Sequence, residues 1–109
     1  LVNSSQKIRC AGAMHSCAPL IASEGIIVSM DRFDQISELD IDQMTVKAQA
    51  GVRIHNLCEF LAPYGLAMGT LGTVDWQSIA GAVMTGTHGG ALNIPSMHSF
   101  IAHIIDISD

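Results

Sequence analysis

Two stretches of small residues, at 11–16 and at 69–90, interrupt the apolar pattern of this 109-residue chain and limit the folds open to it. Small side chains build little core, so these stretches divide the chain into short elements followed by turns of exposed backbone. Glycine suits such turns because it adopts any φ and has no Cβ to hold a ligand away. The stretches are therefore either tight turns between elements or places where amide N–H groups bind a phosphate or pyrophosphate.

The apolar pattern around these stretches predicts a mixed α/β order of short elements. Apolar, β-branched or alternating runs favour strands at 7–10, 25–30, 36–39, 44–50 and 104–107. After Arg53 the period changes to that of a helix, whose apolar stripe is Ile54, Leu57, Cys58 and Leu61. Pro63 and Gly65 end this helix, and a second, short helix of small residues is predicted at 77–85.

The charge and hydropathy of the chain argue against several classes of partner. Ten acidic against five basic residues give a net charge of −5 with no basic run, whereas nucleic-acid binding needs clustered lysine and arginine. No apolar stretch is long enough to span a bilayer, and no signal-peptide pattern opens the chain. Hydrophobic residues make up 49% of the chain and charged residues only 14%, so we expect more protein or a ligand to cover part of its apolar surface.

The cysteines and histidines predict no metal site. Three cysteines stand at unrelated spacings, at Cys10, Cys17 and Cys58. An odd number at such spacings argues against a disulfide framework or a zinc site, and fits buried thiols in a reducing compartment. His98 and His103, even taken with His88, lack a cysteine or carboxylate at a plausible ligand spacing.

The order of the motifs is more specific than either small-residue stretch alone. No Walker loop and no G-x-G-x-x-G motif occurs. The chain instead has CAGAMHS at 10–16, IIVSMDRFDQI at 26–36, and a block at 46–90 that ends in QSIAGAVMTGTHGG. This succession resembles the flavin-binding domain of the vanillyl-alcohol oxidase superfamily, and within it most closely the sugar-1,4-lactone oxidases and alditol oxidases. The resemblance covers nearly all of 8–90 and continues more weakly to the end of the chain.

The resemblance implies an α+β fold, a PCMH-type FAD-binding domain of which residues 1–109 form a part, with FAD between two small α/β subdomains. The first turn would cradle the FAD pyrophosphate, and the matching residues are Gly12, Ala13, Met14, His15 and Ser16. The later block would line the flavin and ribityl side, through Thr73, Ser78, Gly81, Thr85, Gly86 and His88. Since the chain carries few cations, amide dipoles and hydroxyls would meet the phosphates.

Individual positions carry separate expectations. Met14 stands where the family commonly has glycine, and its side chain either crowds the pyrophosphate or points away from it if φ is negative. His15 matches the histidine that many of these oxidases bond covalently to the flavin 8α-methyl carbon; without the resemblance it is a loop histidine. His88 either contacts the flavin or holds the glycine-rich loop by a hydrogen bond.

Two residues outside the predicted cofactor site carry structural expectations. We expect His55 to be solvated on the polar face of its helix and Trp76 to pack in a core or a domain interface.

The resemblance also implies an activity, the oxidation of a CH–OH group of a sugar lactone or an alditol by FAD, with O₂ as the acceptor that gives H₂O₂. In the family, the general base and the residues that grip the substrate lie in a second, C-terminal domain, and a strand–helix segment precedes the position of Leu1. We therefore expect a fragment that is inactive alone, without a substrate or cap domain and without a catalytic residue of its own. Two alternatives stay open: a degenerate or truncated module that keeps the fold without flavin, and an NADPH-consuming flavin reductase of the wider superfamily.

Overall fold

The computed structural model describes residues 6–105 of the chain. The strands in this range are β1 (Ile8–Ala11), β2 (Ile26–Ser29), β3 (Ile36–Asp40) and β4 (Thr45–Ala48). The helices that follow them are α1 (Ile54–Leu61), a 3₁₀ helix (Ala62–Tyr64), α2 (Ile79–Met84) and a second 3₁₀ helix (Met97–Phe100). The described residues thus have the mixed order of strands and helices that the sequence predicts.

Strands β1 and β2 are parallel neighbours, and their carboxyl ends lie at the same edge of a two-stranded sheet. At that edge Ala11 is opposite Ser29, and Met30 N–H donates to the Ala11 carbonyl at 2.9 Å. At the other end, a Cβ on Gly25 would overlap the Lys7 carbonyl, so only glycine lets the strands begin side by side. The first small-residue stretch therefore leaves the sheet where β1 and β2 end together.

Strands β3 and β4 form a separate antiparallel hairpin. Its register shifts between Ser37 and Asp40, and Glu38 between them has a φ of +50°. This left-handed residue inserts an irregularity of the kind that bends a hairpin. The Glu38 carboxylate also pairs with Lys47 Nζ across the strands at 2.6 Å, on the exposed face.

Helix α1 lies at the centre of the apolar core. Ile54, Leu57 and Leu61 are buried along one face, as their spacing predicts, and Cys58 beside them is half-buried. Leu57 and Leu61 join Val52 in a cluster that packs against the β3–β4 hairpin. Ile54 belongs to a second cluster, with buried residues of α2 and of the second 3₁₀ helix. The helix thereby connects the hairpin to the later small-residue block. Within residues 6–105, no helix has the length and apolar character needed to cross a bilayer.

Two predicted elements differ from the observed ones. The second helix is shorter than 77–85, because Ser78 is its N-cap and Thr85 its C-cap. The strand predicted at 104–107 is wrong for Ile104 and Ile105, which are exposed and have no regular structure. Within residues 6–105 the sheets pair only β1 with β2 and β3 with β4. Residues 106 and 107 of that prediction lie outside the described range.

The expectation of buried thiols is wrong for two of the three cysteines. Cys10 and Cys17 are exposed, and only Cys58 is half-buried. Cys10 is exposed because β1 belongs to a sheet of two strands, and Cys17 because it lies in the irregular segment after the first turn. Burial raises the pKa of the Cys58 thiol, and the negative charge of Asp75 raises it further.

Candidate functional site

An open cleft of about 410 Å³ lies between the first turn and the later small-residue block. Its lining consists of His15 and of eight residues of the later block: Gly72, Thr73, Val74, Gln77, Thr85, Gly86, Thr87 and His88. Small-molecule sites typically have volumes of roughly 300–1,000 Å³, so this cleft is large enough to hold part of a ligand. The fold thus brings together two stretches that are far apart in the sequence.

Five of the eleven residues predicted to hold FAD line this cleft, namely His15, Thr73, Thr85, Gly86 and His88. The other six are outside its lining, namely Gly12, Ala13, Met14, Ser16, Ser78 and Gly81. Sequence reasoning missed four of the lining residues, which are Gly72, Val74, Gln77 and Thr87. All four lie in the same glycine- and threonine-rich block, and this position in the sequence could have identified them. A contact of any of these residues with FAD stays a prediction.

Gly12 joins the first turn to helix α2 by direct contact with Ser78. A Cβ at Gly12 would overlap the Ser78 hydroxyl, so a larger residue requires a movement of the turn or of α2. Ser78 is 2% exposed, and its Oγ accepts a hydrogen bond from Gly81 N–H at 3.4 Å, which caps the helix. Gly12, Ser78 and Gly81 therefore form a closely packed junction next to the cleft residue Gln77.

Met14 occupies the left-handed region of backbone conformation. Its φ is +53° and its side chain is 68% exposed. A residue with a Cβ adopts this conformation at a cost of about 1–2 kcal/mol, which glycine avoids. The negative φ considered for this position is therefore not what the turn adopts. Met14 has instead the backbone conformation that favours glycine.

The glycine-rich loop after α2 is held by hydrogen bonds at its far end. His88 Nδ1 lies 2.7 Å from the Gly89 carbonyl oxygen, so an Nδ1–H donates to it. Gly89 N–H donates to Oγ1 of the buried Thr70 at 3.0 Å. Gly86, near the start of the loop, has a φ of +67°. The bond to Thr70 thus fastens the loop to the rest of the fold, whereas the His88 bond stays within the loop. His88 also lines the cleft.

Arg53 is a functional candidate that sequence reasoning missed. Its Nη2 donates to Asp31 Oδ1 at 2.7 Å, and its backbone forms a bridge with Ser78. Asp31 directly follows Met30, whose N–H donates to the Ala11 carbonyl at the end of β1. Ser78 touches Gly12. Arg53 is therefore held from two sides next to the first turn. Its Nη1 is buried and has no hydrogen-bond partner within residues 6–105.

His55 and Trp76 differ from their sequence expectations. His55 is not simply solvated, because its ring lies between the carboxylates of Asp75 and Glu59. Trp76 is 61% exposed, so the expectation of a core position is wrong for the described range, while packing in a domain interface stays a prediction. Its ring stacks on that of His55. Across 6–105, histidine, cysteine and carboxylate side chains form no group of three or more that could hold a metal ion.

The chain matches known proteins over most of its length. The sequence model of the family described as FAD binding domain matches residues 2–104. A long-chain alcohol oxidase of an uncultured marine euryarchaeote is 32% identical over 100 residues, which cover 91% of this chain and 20% of that protein. The D-arabinono-1,4-lactone oxidase of Eremothecium gossypii is 33% identical over 84 residues, covering 73% of this chain and 16% of that protein. The L-gulono-1,4-lactone dehydrogenase of Mycobacterium tuberculosis is 30% identical over 101 residues, covering 91% and 23%. The chain thus spans about a fifth of the length of these relatives.

Proposed function

The chain belongs to the family of FAD binding domains, and from this membership we propose that it is the cofactor-holding part of an oxidoreductase that oxidises a CH–OH group. The observation that carries the proposal is the cleft in which His15 of the first turn meets Thr73, Thr85, Gly86 and His88 of the later block. The first turn and the later block, whose order in the sequence carries the resemblance, therefore line one cleft in the fold.

The residues present suit the chemistry of FAD. The first turn offers backbone N–H groups, and Gly12 has no Cβ to hold a phosphate away from them. FAD carries two phosphate charges in a chain whose net charge is −5. Arg53, whose backbone bridges Ser78 beside Gly12, has its guanidinium paired with Asp31. Amide dipoles and hydroxyls therefore remain the main partners for the phosphate charges. The hydroxyls of Thr73 and Thr85 give the cleft polar groups for the ribityl side.

FAD, when bound, supplies the redox chemistry by taking up the two electrons released as a carbinol becomes a carbonyl. The residues of this chain bind the cofactor and fix its orientation. From the names of the lactone-oxidising relatives, we propose a sugar lactone as substrate. An alditol is the other substrate that the sequence resemblance implies. The oxidases among them favour O₂ as acceptor with H₂O₂ as product, and the dehydrogenase points to another acceptor as the alternative.

The 109-residue chain should turn over no substrate by itself, because no carboxylate of residues 6–105 lines the cleft and the resemblance places the general base in a second domain. The measurement is peroxide release, or reduction of an artificial dye, from L-gulono-1,4-lactone and from xylitol. Turnover by the chain alone would show that the catalytic groups lie within it.

The test of cofactor binding is a titration of the chain with FAD, followed by the change in flavin fluorescence. We expect saturable binding, weakened about two- to tenfold in Thr73→Val, since a lost hydrogen bond costs roughly 0.5–1.5 kcal/mol. Thr45→Val is the matched control, because Thr45 is the exposed first residue of β4 and lies outside the cleft. Absence of binding by a folded wild-type chain would favour a module that keeps the fold without flavin.

A further inference from the structure

The His55 ring lies in a cluster that the proposed cofactor site does not include. Its Nδ1 is 3.0 Å from Asp75 Oδ2, and its Nε2 is 3.4 Å from Glu59 Oε1. A neutral imidazole carries one N–H donor, so only the doubly protonated ring presents an N–H to both carboxylates at once. The ring also stacks on Trp76, with centroids 4.7 Å apart and an interplanar angle of 19°. Stacking of a cationic ring on indole adds a further attraction.

This cluster joins helix α1 to the segment 72–77, which we call the wall segment because four of its residues line the cleft. No side chain caps the start of α1. Instead the N–H groups of Ile54 and His55 donate to the carbonyls of Gln77 and Asp75, at 3.0 and 2.8 Å. Backbone and side-chain bonds thus attach the wall segment to the N-terminal end of α1.

The charges around His55 favour its protonated form. The groups that face it are Asp75 from the wall segment and Glu59 from α1; the Cys58 thiol lies near Asp75, and Arg53 is paired elsewhere, with Asp31. The hydrogen bond to Asp75 is the largest cause of a raised His55 pKa; partial burial opposes it, and the charge of Glu59 adds to it. The contact therefore stabilises the fold fully below the ordinary histidine pKa of about 6.5, and this contribution is lost as the pH rises through the raised value.

We propose that His55 is a positioning residue for the cleft, whose imidazolium ring fastens the wall segment to α1 through Asp75, Glu59 and Trp76 together. Loss of one proton leaves Nδ1–H bonded to Asp75 and turns the Nε2 lone pair towards the Glu59 carboxylate. Two acceptors then oppose each other, and the stacked ring loses its charge. The wall segment is held by fewer contacts, so the cleft becomes less rigid as the pH rises.

Trp76 is the only tryptophan in the chain, so its fluorescence reports on this contact. A protonated imidazole stacked on indole quenches the emission of indole. In the chain without FAD, we expect Trp76 emission to rise with pH, with a midpoint above the ordinary histidine pKa of about 6.5. His55→Gln should abolish this transition, and Asp75→Asn should lower its midpoint. Glu59→Gln, at a side chain that is 71% exposed, should lower the midpoint without threatening the fold.

His98→Gln is the matched control, since the exposed His98 bonds to Ser96 and should leave the midpoint unchanged. A pH-independent emission, or a transition that survives His55→Gln, would overturn the proposal. A second measurement rests on the proposed function: FAD affinity should fall several-fold between the acid and alkaline sides of the transition in the wild type, but not in His55→Gln. If the chain binds no FAD at any pH, the proposed function fails, while the fluorescence titration still decides the role of His55.

Discussion

At the residue scale, His15 is the cleft-lining side chain whose chemical role most needs an experiment. It is exposed and lines the cleft, where an imidazole nitrogen can act as a nucleophile towards a cofactor already held nearby. If the full protein attaches FAD covalently, the bond should form at His15. After acid precipitation, the yellow colour should stay in the wild-type pellet and move to the supernatant in His15→Ala.

His88→Ala is the control for that experiment, because His88 lines the same cleft but its Nδ1 already bonds to the Gly89 carbonyl. This variant should bind FAD more weakly without changing how FAD is attached. Release of flavin from the wild-type protein by acid would leave His15 as a lining residue only.

Met14 should limit the stability of the first turn. Met14→Gly removes the Cβ from a position with a φ of +53°, a relief of about 1–2 kcal/mol, which the greater freedom of glycine in the unfolded chain reduces by roughly 0.5–1 kcal/mol. We expect a net gain of about 0.5–1 kcal/mol in the free energy of unfolding, measured by urea denaturation. Met14→Ala keeps a Cβ and should gain little. Equal gains from glycine and alanine would assign the effect to the methionine side chain and not to the backbone.

At the scale of elements, the Gly12–Ser78 contact links the first turn to α2. Ser78→Ala should lower the free energy of unfolding by roughly 0.5–2 kcal/mol, because it removes the N-cap of α2. Gly12→Ala should destabilise as well, since the new Cβ overlaps the Ser78 hydroxyl. The double variant should be more stable than the sum of the two effects predicts, because alanine at 78 removes the overlapping oxygen. Thermal melts of the four proteins measure this coupling, and strict additivity would contradict it.

The elements that the sequence predicted best are those set by local spacing. Ile54, Leu57 and Leu61 form the buried face of α1 because their separation fits one helical turn after another. The bend at Glu38 was not predictable, since a glutamate gives no sign of a positive φ. The Arg53–Asp31 pair was equally hidden, because its partners are 22 residues apart in the sequence and only the folded chain brings them together. The order of the motifs predicted residues on both sides of the cleft. Their spacing in the sequence could not show that the two sides lie close together in the fold.

At the scale of the whole molecule, apolar side chains remain on the surface. Met84, Leu92 and Ile104 are 85%, 102% and 88% exposed. The radius of gyration is 14.9 Å, above the value of about 13 Å typical of a compact domain of this length. We therefore expect the 109-residue chain to self-associate as its concentration rises, as measured by light scattering after size-exclusion chromatography.

Leu92→Glu should raise the monomer fraction by placing a charge on the apolar surface. Gln43→Glu adds the same charge at an exposed hairpin turn and should leave the association unchanged. A chain that stays monomeric at high concentration and melts cooperatively at high temperature would instead be an independent domain.

The contact between Gly12 and Ser78 also has a consequence for the time at which the site forms. More than half of the chain lies between these two residues, so their meeting requires the closure of a long loop, which is slower than the formation of a helix or a hairpin. During refolding, helical circular dichroism should recover before flavin is captured. On the ribosome, the first turn leaves the exit tunnel long before α2 does, and the growing chain should acquire affinity for flavin only after α2 has emerged.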